Sequence, residues 1–222
     1  MPKKHNIITM KRIFDLIITV SLLVILAPVL FLVALLFLFI EGPPVLYHHQ
    51  RLGLNGQAFT LIKFRTMHSG TSISAQDDAS RITGLGRILR RTSLDELPTL
   101  YNVLKGEMSL VGPRPLPVKY KDRFSSVQFR RHRVRPGITG LAQTKGRNSL
   151  SWTEKFDYDL YYVENRSFLM DMRILCHTIF LVLKGQGVSP HDQEIMPEFM
   201  GTAAPSAKPP ASEQTDKTDV RD

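Results

Sequence analysis

The 222-residue sequence has one cysteine, Cys176. That excludes an intramolecular disulfide and a cysteine-based zinc cluster, and it suits a reducing compartment. Acidic side chains are also scarce: 20 Asp and Glu face 29 Lys and Arg, for a formal charge of +9. Such an excess calls for an anionic partner, whether nucleic acid, anionic lipid or a phosphorylated substrate. There is no Walker A loop, no dinucleotide fingerprint and no internal repeat, and only one apolar stretch is long enough to embed in a bilayer. The length allows one medium domain with appendages and a sizeable core.

The apolar stretch runs from Ile13 to Ile40, interrupted only by Asp15, Thr19, Ser21 and Pro28, and follows a flank with Lys3, Lys4, Lys11 and Arg12. It is too long for a signal-peptide core, and no small-residue cleavage site follows it. Since ~20 apolar residues span a bilayer, a single transmembrane helix is the default reading. Pro28 argues for a sharp bend, because it removes the bond to the carbonyl of Val24 and clashes with that turn. Cations also follow the stretch, at Arg51, Lys63 and Arg65, so a straight span would set one basic flank against the positive-inside rule. A re-entrant helix-hairpin bent at Pro28, with both ends on the cytoplasmic face, removes that conflict. Each arm, of ~12 residues and ~18 Å, is too short to cross the hydrocarbon core alone. Asp15 is expected at headgroup depth, paired with Arg12 as an anchor.

Glu41-Gly42-Pro43-Pro44 ends this segment. Residue alternation predicts strands over 45–50 and 58–67, with Asn55-Gly56 as a hairpin-turn signal between them. The second strand ends Lys63-Phe64-Arg65-Thr66-Met67, with both cations on one face, as a solvated sheet face would also have. Residues 68–80 read as a loop, and Ile82, Leu85, Ile88 and Leu89 predict a helix over 81–91. Residues 118–135 read as a basic helical segment. Trp152 to Glu164 is aromatic and acidic, and Ser167 to Lys184 is a strongly apolar helix stopped by Gly185. These last two suggest packing at a membrane interface, with an ordinary core helix as the plainer alternative for Ile174 to Leu183. The Ala, Pro, Ser and Lys-rich end, from about Met200, reads as disordered.

The chain centres on Thr92-Ser93-Leu94-Asp95-Glu96-Leu97-Pro98, two adjacent carboxylates after Arg90 and Arg91. Ser93 could cap a helix with Glu96 as its capping-box partner. Alternatively, Pro98 takes the first helical position of a helix running to Lys105 and ended by Gly106. In both registers the carboxylates lie at the positive end of a helix dipole beside arginines, which favours their ionised form. Alone, they read as caps. Three prolines in Gly112-Pro113-Arg114-Pro115-Leu116-Pro117 hold an extended backbone and present Arg114 on a stiff strut, suited to bidentate phosphate binding. A solvated arginine in a proline-rich turn is the alternative. From Pro136 to Asn148, glycines flanked by Arg135, Lys145 and Arg147 would let backbone N–H groups converge on an anion.

Five segments carry a resemblance. They are Lys11-Arg12-Ile13-Phe14-Asp15 before the Pro-broken stretch, Lys63 to Met67, Ser93 to Pro98, Gly112-Pro113-Arg114-Pro115, and Arg135-Pro136-Gly137-Ile138-Thr139-Gly140. Their order resembles the bacterial sugar transferases, the monotopic polyprenyl-phosphate phosphoglycosyl transferases in their minimal, single-domain form, over about residues 11–188. The resemblance implies an α+β protein on the cytoplasmic face of the bacterial inner membrane. Residues 1–42 would form the basic flank and re-entrant helix, 43–190 a mainly helical catalytic domain with a small β-hairpin and interfacial amphipathic helices, and 191–222 a flexible tail. Relatives often carry Ser before the proline; here Ala27 stands there, so the bend rests on Pro28 without a local hydroxyl.

The implied reaction moves a sugar 1-phosphate from a UDP-sugar to a polyprenyl (undecaprenyl) phosphate and releases UMP. By resemblance, Asp95 is the nucleophile and holds a covalent phosphosugar, and Glu96 assists the second step. Mg²⁺ would sit on Asp95 and the donor diphosphate. Lys63, Arg65, Arg90, Arg114, Arg135 and Arg147 are the expected phosphate or nucleotide-binding residues. The implied partners are UDP-sugar, polyprenyl phosphate and membrane lipid, and no nucleic acid. A membrane-anchored basic adaptor binding anionic lipid is the rival reading from another class.

Overall fold

A computed structural model describes residues 2–68, 81–146, 149–184 and 198–201. The chain opens with α1 (Pro2–Ile40), 39 residues of helix that continue through Pro28. This is the one described helix long and apolar enough to cross a membrane. Both of its arms lie against the rest of the protein. Phe14, Ile18 and Leu22 pack on a core of Leu100, Leu110, Val111, Tyr162 and Ile174. Val33 and Phe37 pack with Phe64 and Leu89. Between the arms Val24, Ile25, Phe31 and Leu32 are exposed.

Polar contacts fasten the first arm. Lys11 Nζ donates to Asp171 Oδ2 at 2.6 Å, and Ser109 Oγ donates to Asp15 Oδ2 at 2.7 Å. Asp15 is therefore buried against a strand and is not the partner of Arg12. The Arg12 guanidinium goes instead to the carbonyl of Leu104, at 3.1 Å, because the last carbonyls of a helix have no partner within it.

Strands β1 (Leu46–Leu52) and β2 (Ala58–Phe64) pair antiparallel, from Leu46 opposite Phe64 to Leu52 opposite Ala58. Asn55 and Gly56 both adopt positive φ, but inside a five-residue connection rather than a two-residue turn. Gly56 is required there, since a Cβ would stand 2.5 Å from the Phe129 ring.

After residue 80 come α2 (Gly84–Thr92), a 3₁₀ turn at Leu94–Thr99 and α3 (Leu100–Lys105). A short strand β3 (Ser109–Val111) runs parallel to β4 (Gly137–Thr139). Between those strands the expected basic helix is divided in three: 3₁₀ Val118–Arg123, α4 (Ser126–Phe129) and 3₁₀ Arg130–Arg133. The break is at Phe124, whose extended backbone precedes the Ser125 capping box of α4. Helices α5 (Leu141–Lys145), α6 (Trp152–Asn165) and α7 (Phe168–Leu183) follow. The described residues form a mixed fold, largely helical, with two small sheets.

Candidate functional site

The two carboxylates sit where α2 hands over to α3. Ser93 takes a left-handed conformation (φ 58°), ends α2 through its N–H to the Arg90 carbonyl, and leads into the 3₁₀ turn. Its side chain makes no cap bond to that turn, and Pro98 lies inside the turn rather than at the start of α3. Both sequence registers are thus replaced by a tighter one, in which Asp95 and Glu96 lie in the first turn of 3₁₀ helix. The far end is as expected, with Gly106 at φ 84° closing α3.

Asp95 is only 6% exposed. Burial, and secondly the neighbouring Glu96, raise its pKa to about 6, against the opposing pull of Lys63, Arg90 and Arg114. The arginines do favour the ionised form of Asp95, as expected, but desolvation outweighs them.

Opposite the carboxylates stands the proline strut. Arg114 Nη2 donates to Glu96 Oε1 at 2.8 Å, and Glu96 holds the guanidinium more firmly protonated. The strut is fixed from behind: Arg131 Nη2 donates to the Arg114 carbonyl at 2.7 Å while its Nε and Nη2 hold buried Asp159 at 2.9 and 2.6 Å. Gly112 and Gly137 bring β3 and β4 into contact at the base, where a Cβ on Gly112 would lie 2.4 Å from the Arg135 carbonyl. Arg51, Lys63, Glu96, Thr99 and Arg114 line the cleft between strut and turn. Burial draws the Lys63 ammonium below its usual pKa, while Glu96 and Asp95 act to raise it. Burial and then Arg114 push Arg51 down to about 10, so it stays a cation at neutral pH.

The remaining expected residues are distributed differently. Arg90 Nε donates to Thr66 Oγ1 at 2.9 Å while its charge acts on Asp95. Arg65 donates to the carbonyls of Glu41 and Gly42 at 3.1 and 2.8 Å and lies over the Phe37 ring, closing the end of α1. Arg135 Nε donates to the Gly106 carbonyl at 2.7 Å, behind α3. Ala27 and Pro28 are exposed within α1, and Arg147 lies outside the described residues. Arg51, Arg131 and Asp159 are additions. Arg51 becomes legible once Tyr47 is registered opposite Lys63, because alternation then puts it on the Lys63 face. Arg131 and Asp159 lie 28 residues apart and have no local signal.

Residues 6–185 match the model of the family described as bacterial sugar transferase. The uncharacterized sugar transferase EpsL of Bacillus subtilis is 45% identical over 196 residues, covering 87% of this chain and 96% of that protein. The exopolysaccharide production protein ExoY of Sinorhizobium fredii is 39% identical, over 80% of this chain and 87% of that one. The UDP-glucose:undecaprenyl-phosphate glucose-1-phosphate transferase of Klebsiella pneumoniae is 37% identical over 77% of this chain, which spans 39% of that longer protein. A match over most of the chain, which takes in the acidic turn, the strut and the cleft between them, places this enzyme in the bacterial sugar transferase family.

Proposed function

We propose that the protein transfers a sugar 1-phosphate from a UDP-sugar to a polyprenyl phosphate, releasing UMP and forming polyprenyl diphosphate-sugar. The observation that carries this reading is a buried carboxylate, Asp95, next to Glu96, which lines a cleft with Arg51, Lys63 and Arg114. The names of the Klebsiella relative, and of an undecaprenyl-phosphate galactose phosphotransferase from Salmonella typhimurium at 36% identity, support the substrate classes.

In the first step the Asp95 carboxylate attacks the phosphorus that bears the sugar. The bond from that phosphorus to the bridging oxygen breaks, and UMP leaves with the electron pair. In the second, an oxygen of the polyprenyl phosphate attacks the same phosphorus, Glu96 accepts its proton, and Asp95 departs as a carboxylate. Lys63, Arg51 and Arg114 hold the phosphate oxygens and offset their charge in both transition states. A pKa near 6 leaves Asp95 ionised at neutral pH and makes it a competent leaving group. Mg²⁺ takes one or two carboxylates plus substrate phosphates, so Asp95 with Glu96 offers a fitting donor pair. When bound, that ion would neutralise charge on the donor diphosphate.

One substrate is soluble and the other is tethered to the bilayer, so the site belongs at a membrane surface. Both arms of α1 pack on the same domain while the stretch around Pro28 is exposed, which supports a re-entrant helix on the cytoplasmic face of the inner membrane. Exposed Phe168, Leu169, Ile179, Phe180 and Leu183 on α7 support interfacial contact by that helix.

The test is UMP release from a panel of UDP-sugars by detergent-solubilised protein with Mg²⁺, with and without polyprenyl phosphate. Release that needs the lipid and disappears in Asp95→Asn is expected. Full-rate release without lipid would indicate a hydrolase, and no release from any donor would favour a lipid-binding adaptor.

A further inference from the structure

Glu198 and Phe199 belong to the stretch expected to be a flexible tail, yet Phe199 is 3% exposed. Its ring fills a cup of four aromatics. Phe124 stacks on it at 5.5 Å between centroids, Phe156 and Tyr120 meet it edge-on at 5.0 and 5.8 Å, and Trp152 lies at 5.4 Å. The rim is cationic. Lys119 Nζ pairs with Glu198 Oε2 at 2.8 Å, and Arg123 Nη1 donates to Glu198 Oε1 and to the Phe199 carbonyl, both at 2.7 Å. An aromatic cavity under two cations is complementary to an acidic residue followed by an aromatic one. The rim pairs are exposed and set orientation, whereas ring burial supplies the attraction.

The cup adjoins the strut that lines the cleft. Leu116, the fifth residue of the Gly112–Pro117 strut, belongs to the same buried cluster as Tyr120, Phe156 and Phe199. Tyr120 donates its N–H to neither side chain nor tail, but to the Pro117 carbonyl at 3.0 Å. The Leu116 carbonyl accepts the Leu52 N–H at 2.9 Å, which ties the strut to the last residue of β1, beside Arg51. Anything that fills the cup therefore packs on the strut at Leu116.

We propose that Glu198-Phe199 is a detachable clip: the cup formed by Tyr120, Phe124, Trp152 and Phe156 is a docking site for an acidic-aromatic peptide, filled here by the chain's own segment, and its occupancy steadies the Arg114 strut. The proposal goes beyond the transfer reaction, and its test uses no substrate, so it can fail while the transferase reading stands.

The chain has one tryptophan, Trp152, so intrinsic fluorescence reports the cup directly. The full-length protein carrying Phe199→Ala is expected to show red-shifted Trp152 emission and at least about tenfold faster hydrogen exchange at the Leu52 amide, with unchanged helical circular dichroism. A synthetic peptide of residues 195–202 should reverse both effects saturably, and the same peptide with Phe199→Ala should not. Unaltered emission in the variant would overturn the docking. Emission restored without slowed Leu52 exchange would overturn the coupling to the strut. If Phe199→Ala loses its helical signal, Glu198→Lys decides, because it sets a third cation against Lys119 and Arg123 and repels the segment from the rim. Faster Leu52 exchange than wild type is expected, and equal exchange overturns the clip.

Discussion

Asp95 shares its turn with a second carboxylate and is nearly excluded from water, so its charged form is disfavoured. The pH dependence of kcat/KM for UMP release should therefore show an acid limb near pH 6, since that parameter reports the free enzyme. Lys63→Met should move the limb upward, because Lys63 pulls the Asp95 pKa down. A carboxyl whose pKa rises on folding favours the folded state only while protonated. Its contribution is present below about pH 4 and is lost as pH climbs through about 6, an amount of about 3 kcal/mol for a shift from 3.8 to about 6. Asp95→Asn should consequently raise the melting temperature at pH 7.5 while abolishing UMP release; a lowered melting temperature would contradict this account. Buried His132 has the opposite sign. Burial and Arg131 lower it to about 4, so folding loses stability as pH falls from 6.5 toward 4. In wild type the two slopes oppose each other across pH 4–6. In Asp95→Asn stability should fall more steeply on acidification than in wild type, and denaturant titrations from pH 4 to 6.5 would reveal it.

The strut is held as an element, by the Arg131–Asp159 pair behind it and by the β3–β4 contact beneath it. Breaking a buried pair by removing one partner costs about 3–5 kcal/mol, whereas an apolar replacement of both is often neutral. Arg131→Met and Asp159→Leu should each destabilise by that order, and the double variant should regain much of the loss in urea titrations. Donor turnover should stay low in the double variant, because the Arg114 carbonyl has still lost the guanidinium that orients it. At the base, Gly112→Ala would drive a Cβ into the Arg135 carbonyl. A loss of about 1–3 kcal/mol is expected, together with about tenfold slower UMP release if the strut tilts. Much of this element was legible in advance: three prolines in five residues dictate an extended, donor-poor backbone wherever they occur. Its supports were not, since three-residue strands leave no periodic pattern and the Arg131–Asp159 pair joins segments that only folding brings together.

On the scale of the whole molecule, the decisive question is where the two ends of α1 lie relative to the bilayer. After Cys176→Ser removes the native exposed thiol, cysteines at Met10 and Leu46 should both resist membrane-impermeant reagents added outside intact cells and both react in inverted vesicles. Labelling of either from outside would establish a straight span.

The sequence by itself determined the parts whose chemistry is local. A long apolar run must leave water, prolines must stiffen the strut, Gly106 must end its helix, and adjacent Asp95 and Glu96 must repel. Only the tertiary structure decided what those parts do to one another. It turned the acidic segment into a 3₁₀ turn. It spent Arg65 and Arg135 on helix-end carbonyls, set Arg51 in the cleft, buried Asp15 against Ser109 and seated Phe199 among aromatics. The reason is desolvation: the pKa of a carboxylate, or the partner of an arginine, depends on which distant groups exclude water from it, and spacing along the chain does not record that.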